Sequence, residues 1–467
     1  MNRWLRISLF SVFAGALYQA AHGAQGGTDI DWNALGNDAV TVLSQYLQVD
    51  TSNPPGNEME AARFLKALFD KEGIENQVFE SEPGRASIYA RLKGDGSKKA
   101  VVLLNHLDVV PVDRRYWTVE PFGGAIKDGY IWGRGAIDMK SMGVVEAMAM
   151  LALKRQSIPL KGDVIFLGVA DEEEGGIKGA GYVVKDHFDL LKDAGLVINE
   201  FGTIWELDDG KVLFYGIGAA EKSPLWLKLT ARGIPGHGST PRPDSAANKL
   251  VRALDRIVNY QTPFKITPDV QQFYAATAGR SNQRFKDLRS SLQDPGFAAE
   301  FTRNLLNNAA VRNTISVTVI DASNKTNVIS PEASAKLDVR LLPGEDADAV
   351  IAELKKVIAD ESINVETILS FVAGSSPTGD QLFRVVTDIA EKQDPGVPVT
   401  PIQLNGFTDC HFFRDQGIPC YGFMPFKLTG KELSRMHGND ERISVAAVRD
   451  GTQLLYRIVR SFCVTQP

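Results

Sequence analysis

Three stretches of this chain are apolar at nearly every position: AVVLLNH (100–106), DVIFLGVA (163–170) and GLVIN (195–199). A strand with no polar side must be covered on both faces, and a parallel sheet sandwiched between helices provides that cover. The intervening segments GVVEAMAMLALKR (143–155) and GAGYVVKDHFDLLKD (179–193) have helical spacing. The predicted class is therefore α/β, with a parallel sheet between helical layers. In such sheets ligands bind beyond the carboxyl ends of the strands, so the residues that follow each apolar run carry the most information.

The pattern changes near Glu221. PLWLKLTAR (224–232) alternates as a strand, and DSAANKLVRALDRIV (244–258) reads as a helix with Asp244 as N-cap. Ala247, Leu250, Val251, Leu254 and Val258 form the apolar face expected of it. Strands NTISVTVI (313–320) and ASAKLDVRL (333–341), helix EDADAVIAELKKVIAD (345–360) and strand INVETILSF (363–371) follow. The order β-α-β-β-α-β predicts a ferredoxin-like module inserted into the α/β domain, with 260–312 as a mostly helical elaboration of it. The expected boundaries are 28–221 and 372–467 for the two parts of the α/β domain and 222–371 for the insert. At 467 residues a two-domain chain is the natural expectation.

Residues 1–24 have another character. Arg3 and Arg6 precede an uncharged apolar stretch and then small residues, the three-part form of a secretory signal peptide. This predicts an exported protein, secreted or periplasmic, with no membrane attachment after cleavage; an uncleaved anchor is the alternative. A net charge of −6 gives no ground for a nucleic-acid partner. Of the three cysteines, Cys410 and Cys420 could pair in an oxidising compartment, or all three could remain thiols.

The strand ends carry chemistry. VVLLNHLD ends in His106 and Asp108, VIFLGVADEE in Glu172 and Glu173, and LVINE in Glu200. Asp138 lies in the glycine-rich IWGRGAIDMK, and MHGNDER supplies His437. Gathered in one crevice without a cation, these carboxyls would have to hold protons; divalent cations remove that cost, and a His/Asp/Glu set suits Zn²⁺. Each residue alone has a plainer explanation. A strand-end histidine is commonly packed, and DEEE could be the acidic first turn of the helix starting near Gly179. His187 and His411 read as structural or surface residues.

Together, NHLDVVP (105–111), GRGAIDMK (133–140), ADEEEGG (170–176), GHGSTP (236–241), NVISPEASAKLDVRLLPG (327–344) and MHGNDER (436–442) resemble the motifs of the co-catalytic zinc exopeptidases and deacylases. That family includes aminoacylase, glutamate carboxypeptidase and acetylornithine deacetylase; the long insert most resembles its carboxypeptidase S branch. The resemblance implies a mixed, largely parallel sheet with an inserted lid and dimerisation domain. It implies two Zn²⁺ per subunit, with Co²⁺ or Mn²⁺ as substitutes. His106 and Glu200 would hold one ion, Glu173 and His437 the other, and Asp138, before a cis peptide to Met139, would bridge them. Asp108 would orient His106, and Glu172 would be the general base. His237 would stabilise an oxyanion, often from a partner subunit, while Asn327 and Arg340 would contact substrate. The substrate would be a small peptide or an N-acyl amino acid, and the protein a homodimer through the insert. Two departures stand out: Asn105 where relatives commonly have a small residue, and Phe201 in NEFGT where many have Glu-Gly-Gly. Neither removes a ligand. A catalytically inactive binding protein would lack ligands, and a serine esterase would need a G-x-S-x-G elbow that GHGSTP does not supply.

Overall fold

The computed structural model describes residues 29–464; the segment read as a signal peptide lies outside the described residues. Ala100–His106 pairs in parallel with Val164–Val169 on one side and Ala194–Asn199 on the other. Cys420–Gly422 extends the parallel run beside Ala194–Asn199. Antiparallel strands Glu75–Glu82 and Arg85–Leu92 close one edge. Val212–Glu221 and Ile204–Glu206 continue the other, where Val399–Leu404 and Lys427–Thr429 each add a parallel pairing. The ten-stranded sheet is mixed and largely parallel.

The alternation of side chains explains why the three runs are apolar throughout. Val101 and Leu103, Val164 and Phe166, and Leu196 and Ile198 face a core built with helices Trp32–Tyr46, Glu58–Lys71, Lys140–Gln156 and Val445–Cys463. Val102 and Leu104, Ile165 and Leu167, and Val197 face a second core with helices Ala180–Asp186 and Cys410–Arg414. Among the described residues no helix is long and apolar enough to cross a membrane. Cys410 and Cys420 are disulfide-bonded, tying Cys410–Arg414 to the strand beside it, and Cys463 is a buried thiol.

A separate four-stranded antiparallel sheet has the order Thr314–Asp321, Glu332–Leu341, Ser223–Arg232, Asn364–Ser370. With helices Ala246–Asn259 and Ala347–Ile358 it realises the β-α-β-β-α-β order and buries its own core, including Leu225, Leu227, Leu229, Leu337 and Val339. Residues 260–312 carry helices Pro268–Thr277, Leu288–Ser291, Pro295–Phe301 and Leu305–Ala310 around Tyr274, Phe297 and Phe301.

Two local readings need correction. Ser245, not Asp244, caps Ala246–Asn259, its Oγ accepting from the Asn248 amide at 3.3 Å. The buried stripe of that helix is Ala246, Leu250, Ala253, Leu254 and Ile257, leaving Val251 and Val258 exposed. Both stripes share Leu250 and Leu254. The small Ala253 allows close approach to the sheet and draws Ile257 inward, at the expense of the two β-branched residues. The 179–193 segment is also broken: Ala180–Asp186 is followed by a short 3-10 turn, Phe188–Leu190.

Lys140–Gln156 is buried almost throughout and carries Glu146 into the core. The Asn105 side chain donates to Glu146 Oε2 at 2.7 Å and occupies the space left by Gly143, where a Cβ would come within 2.7 Å of Asn105 Oδ1. Asn105, Gly143 and Glu146 thus form one packing unit. Burial raises the Glu146 carboxyl well above the ordinary carboxylate range, against the lowering by Asn105. A carboxyl with a raised folded-state pKa stabilises fully below its unfolded pKa and loses that contribution as pH rises through the folded value. Glu146→Gln, which has no proton to lose, is therefore expected to match wild type near pH 4. Its melting temperature should overtake wild type progressively toward pH 8, with up to about 1.4 kcal/mol of relative stability per pH unit. A pH-independent difference in thermal melts would refute the assignment.

Candidate metal centre

Five side chains from five turns converge at the carboxyl edge of the central sheet. His106 is the last residue of its strand, and Glu200 follows Ala194–Asn199 directly. Asp138 sits in the turn before Lys140–Gln156, and the Asp138–Met139 peptide is cis. Glu173 stands in the 3-10 turn Glu172–Glu174, and His437 in the loop before Arg442–Ser444. His106 Nε2 lies 3.0 Å from Asp138 Oδ1 and 3.8 Å from Glu200 Oε1. His437 Nε2 lies 3.1 Å from Asp138 Oδ2 and 3.2 Å from Glu173 Oε2. The result is two triads, His106/Asp138/Glu200 and Asp138/Glu173/His437, whose ligand atoms each fall within 4.8 Å and which share Asp138. Glu173 Oε1 is buried without a partner among the described residues. An orphaned acceptor amid imidazoles and carboxylates fits a pair of divalent cations, each with a mixed nitrogen and oxygen donor set.

Neighbouring glutamates take separate directions because the chain reverses before them. Asp171 adopts φ 74°, in the left-handed region, and its carbonyl accepts from the amides of Glu174 and Gly176. The turn is held from outside by Arg85, which donates to Asp171 Oδ1 at 2.7 Å and to both oxygens of buried Glu58 at 2.8 Å. Phe201, after Glu200, has φ 62°, and His437 itself φ 58°. The Phe201 backbone is thus in the conformation that glycine adopts without cost.

Asp108 does more than expected. Its carboxylate accepts from the amides of Glu172 and Glu173 at 3.2 Å each and from Asn53 Nδ2 at 2.8 Å. The nearest acceptor to His106 Nδ1 is the Asp108 carbonyl at 2.9 Å, with the carboxylate at 3.5 Å. Glu441, fully buried, accepts from the amides of Ile137 (2.7 Å) and Asp138 (3.0 Å) through Oε1, and from Gly135 (3.1 Å) and Arg134 (2.7 Å) through Oε2. It joins the Asp138 turn to the loop of His437. Asn53, Glu58, Arg85, Arg134 and Glu441 escaped assignment from sequence, whereas Asp171 supports the turn as the sequence suggests. The one available hint was charge inside glycine-rich motifs, GRG around Arg134 and HGNDE at Glu441.

Crowded negative charge shapes the titration of the centre. Burial, then Asp138, pushes Glu200 up to about 7. Burial, then Glu200, raises Glu172 well above its ordinary value, and burial likewise raises Asp409 close by. Burial opposes charge on His106, yet Glu200, Asp108 and Asp138 together raise it. Hydrogen bonds donated by His437 to Asp138 and Glu173 lift its pKa to about 10. The Glu172 carboxyl makes no hydrogen bond or ion pair among the described residues.

The remaining candidates belong to the inserted segment and divide into two places. Arg340 stands opposite Pro224, at the end of the sheet nearest the first, where it pairs with Asp338 (2.7 and 3.2 Å). The Phe407 ring lies 5.1 Å and the Trp226 ring 5.9 Å from its guanidinium. His237 and Asn327 occur beyond the opposite end, past the Arg232–Glu332 pair, where ribbon Gly236–His237 pairs with Val328–Ile329. Eight residues of strand separate the two ends, about 26 Å. His237 is exposed, its Nδ1 bonded to Ser239 Oγ at 2.7 Å, and neither it nor Asn327 bonds to the metal-ligand cluster.

The fold and this double triad define a metal-dependent hydrolase. The chain belongs to peptidase family M20/M25/M40, whose model matches residues 102–461; it is an enzyme acting on amide C–N bonds. It is 30% identical over 412 residues to N-fatty-acyl-amino acid synthase/hydrolase PM20D1 of Xenopus tropicalis, covering 84% of this chain and 78% of that protein. It is 27% identical over 419 residues to a probable carboxypeptidase S-like protein of Dictyostelium discoideum, covering 85% and 78%. Aminoacylase-1 of Sus scrofa is 27% identical over 431 residues, covering 90% and 94%. The fold matches an M20 metallo-carboxypeptidase of Sulfolobus solfataricus with a TM-score of 0.69 at 19% identity, covering 91% of this chain and 99% of that one.

With His437 and Glu200 as ligands, cation binding would displace the proton on His437 and, at neutral pH, part of that on Glu200. Adding Zn²⁺ to metal-free protein at pH 7 in weak buffer is expected to release at least one proton per protein, and affinity should fall as pH drops toward 5. Proton-neutral binding in a pH-stat titration would contradict the assigned ligand set.

Proposed function

We propose that the protein is an exported di-zinc hydrolase that cleaves the amide bond next to a free α-carboxylate, as a carboxypeptidase or dipeptidase does. The observation that carries this reading is the pair of triads sharing Asp138, with the unbonded Glu172 carboxyl beside them. His106 and Glu200 would hold one ion, His437 and Glu173 the other, and Asp138 both. Bound cations supply Lewis-acid polarisation of the scissile carbonyl and make water acidic enough to serve as nucleophile near neutral pH. Glu172 takes a proton from the attacking water and delivers it to the nitrogen of the leaving amine. Burial in company with Glu200 gives its carboxyl the high proton affinity that such a shuttle needs. Asp108 fixes the Glu172 and Glu173 amides, so base and ligand keep separate orientations.

Arg340 is the clamp for the substrate carboxylate, exchanging Asp338 for the substrate's two oxygens. His237 stabilises the oxyanion from the partner subunit of a homodimer formed through the second sheet. The separation of His237 and Asn327 from Arg340 along the sheet supports this, since one chain would not bring both ends to one centre. A second reading, hydrolysis of N-acyl amino acids by the same mechanism, is favoured by the PM20D1 and aminoacylase-1 relatives. The leader-like first residues and the Cys410–Cys420 disulfide support export to an oxidising compartment.

Glu172→Gln is expected to lower kcat by at least about a thousandfold while metal analysis still finds two ions per subunit. Loss of an ion in that variant would mean that Glu172 and Glu173 have exchanged roles. Arg340→Ala should raise KM by about a hundredfold for dipeptides and N-acyl amino acids with a free carboxylate, and change it little for their methyl esters. Equal losses on acid and ester would remove the clamp from the mechanism.

A further inference from the structure

Helix Leu305–Ala310 presents Leu305 and Leu306, 80% and 67% exposed, in its first turn. A single exposed leucine is ordinary. This pair differs because the helix is fastened at both ends in a defined place. At its C-terminal end the ammonium of Lys222, a fully buried residue, donates to the carbonyls of Ala309 (3.1 Å) and Arg312 (2.9 Å) and to Thr314 Oγ1 (3.1 Å). Gln403 Nε2 donates to the Ala310 carbonyl at 3.3 Å. At its N-terminal end the Asn304 side chain caps the turn, and Asn405 Nδ2 donates to the Leu306 carbonyl at 3.4 Å.

Asn405 begins the loop that leads from Val399–Leu404 to the metal-ligand cluster. One residue on, a Cβ at Gly406 would lie 3.9 Å from an Arg340 guanidinium nitrogen; next, Phe407 stacks over that guanidinium. Thr408 then bonds to Glu221, and Asp409 reaches the turn of Glu172, where a Cβ at Gly176 would meet its Oδ1 at 2.1 Å. The loop 405–407 thus touches the leucine-bearing helix through Asn405 and the Arg340 guanidinium through Gly406 and Phe407, while that guanidinium also pairs with Asp338 and lies over Trp226.

We infer that Leu305 and Leu306 form the subsite for the side chain of the substrate residue that bears the free carboxylate, and that this side chain is large and apolar. The inference rests on the proposed reaction and on Arg340 as its clamp. A carboxylate at Arg340 fixes the adjoining Cα, and the substituent on that carbon then falls within reach of the leucine ledge. Burial of a leucine- or phenylalanine-sized group there discriminates against alanine by about ten- to a hundredfold.

The test measures kcat/KM on two substrate series, N-acetyl amino acids with varied side chain and N-acylalanines with varied acyl chain. Wild type is expected to favour N-acetylphenylalanine and N-acetylleucine over N-acetylalanine. Leu305→Ser/Leu306→Ser should cut that preference at least tenfold, and Leu305→Met/Leu306→Met should retain it, with thermal melts confirming folded protein. If the serine variant alters selectivity only in the acyl series, the ledge reads the acyl group and the inference fails. If it lowers all substrates equally and converts a dimer to monomer by size-exclusion chromatography, the leucines are a subunit contact and the inference again fails. Wild type that hydrolyses no amide with a free carboxylate would instead overturn the proposed reaction itself.

Discussion

The carboxylate of Asp138, held between His106 at 3.0 Å and His437 at 3.1 Å, is the interaction on which the site depends. It joins residues that arrive from the end of a central strand, from the turn before a buried helix and from a loop near the end of the chain. One anion shared by two cation-seeking positions lets Glu200 and Glu173 each complete a triad without a fourth carboxylate. It also demands that Asp138 be rigid, because a small shift would open both triads at once. Glu441 meets that demand by accepting the amides of Ile137 and Asp138 on one oxygen, with Arg134 neutralising its charge on the other.

The same device recurs. Asp108 accepts the amides of Glu172 and Glu173, and Asp171, neutralised by Arg85, accepts the amide of Lys178 at 3.0 Å. The Asp138 turn and the Glu172–Glu173 turn are thus each fixed by carboxylates that do not belong to either triad. Buried anions of this kind are costly to bring out of water and become tolerable only when several aligned donors meet each one. The site consequently has an inner ring of groups able to meet cations and an outer ring already satisfied by amides and guanidinium groups. The Glu172 carboxyl belongs to neither ring and makes no hydrogen bond or ion pair among the described residues.

Much of this was legible from sequence where the cause is local. An all-apolar strand reports burial on both faces, and the residue that ends it reports the edge where ligands gather; His106, Glu173 and Glu200 could be read in that way. Asp138 and His437 were candidates from their glycine-rich surroundings, but only the motif resemblance gave them distinct roles, since nothing in their local pattern links them. The outer ring was hidden because its partners are remote: Arg85 meets Asp171 across 86 residues, and Arg134 meets Glu441 across 307. The misjudged face of Ala246–Asn259 has a different origin. Two apolar stripes overlap on that helix, and the shape of the sheet beneath it, not hydrophobicity, decides between them.

The join between the two sheets bears on how substrate is read. Glu221, Lys222 and Ser223 carry the chain out, and it returns alongside: the Glu221 amide donates to the Gly374 carbonyl at 3.2 Å, and the Ala373 amide to Ser223 Oγ at 2.9 Å. Arg414 braces this narrow neck through Glu221 and the Ala373 carbonyl. Any rotation of the second sheet about the neck displaces groups in proportion to their distance from it. Arg340, opposite Pro224, moves least; His237 and Asn327, beyond the far end of the strands, move most. As the clamp proposed above, Arg340 would hold a carboxylate where such a rotation changes the geometry least, whereas His237 and Asn327 would approach a centre only in particular poses.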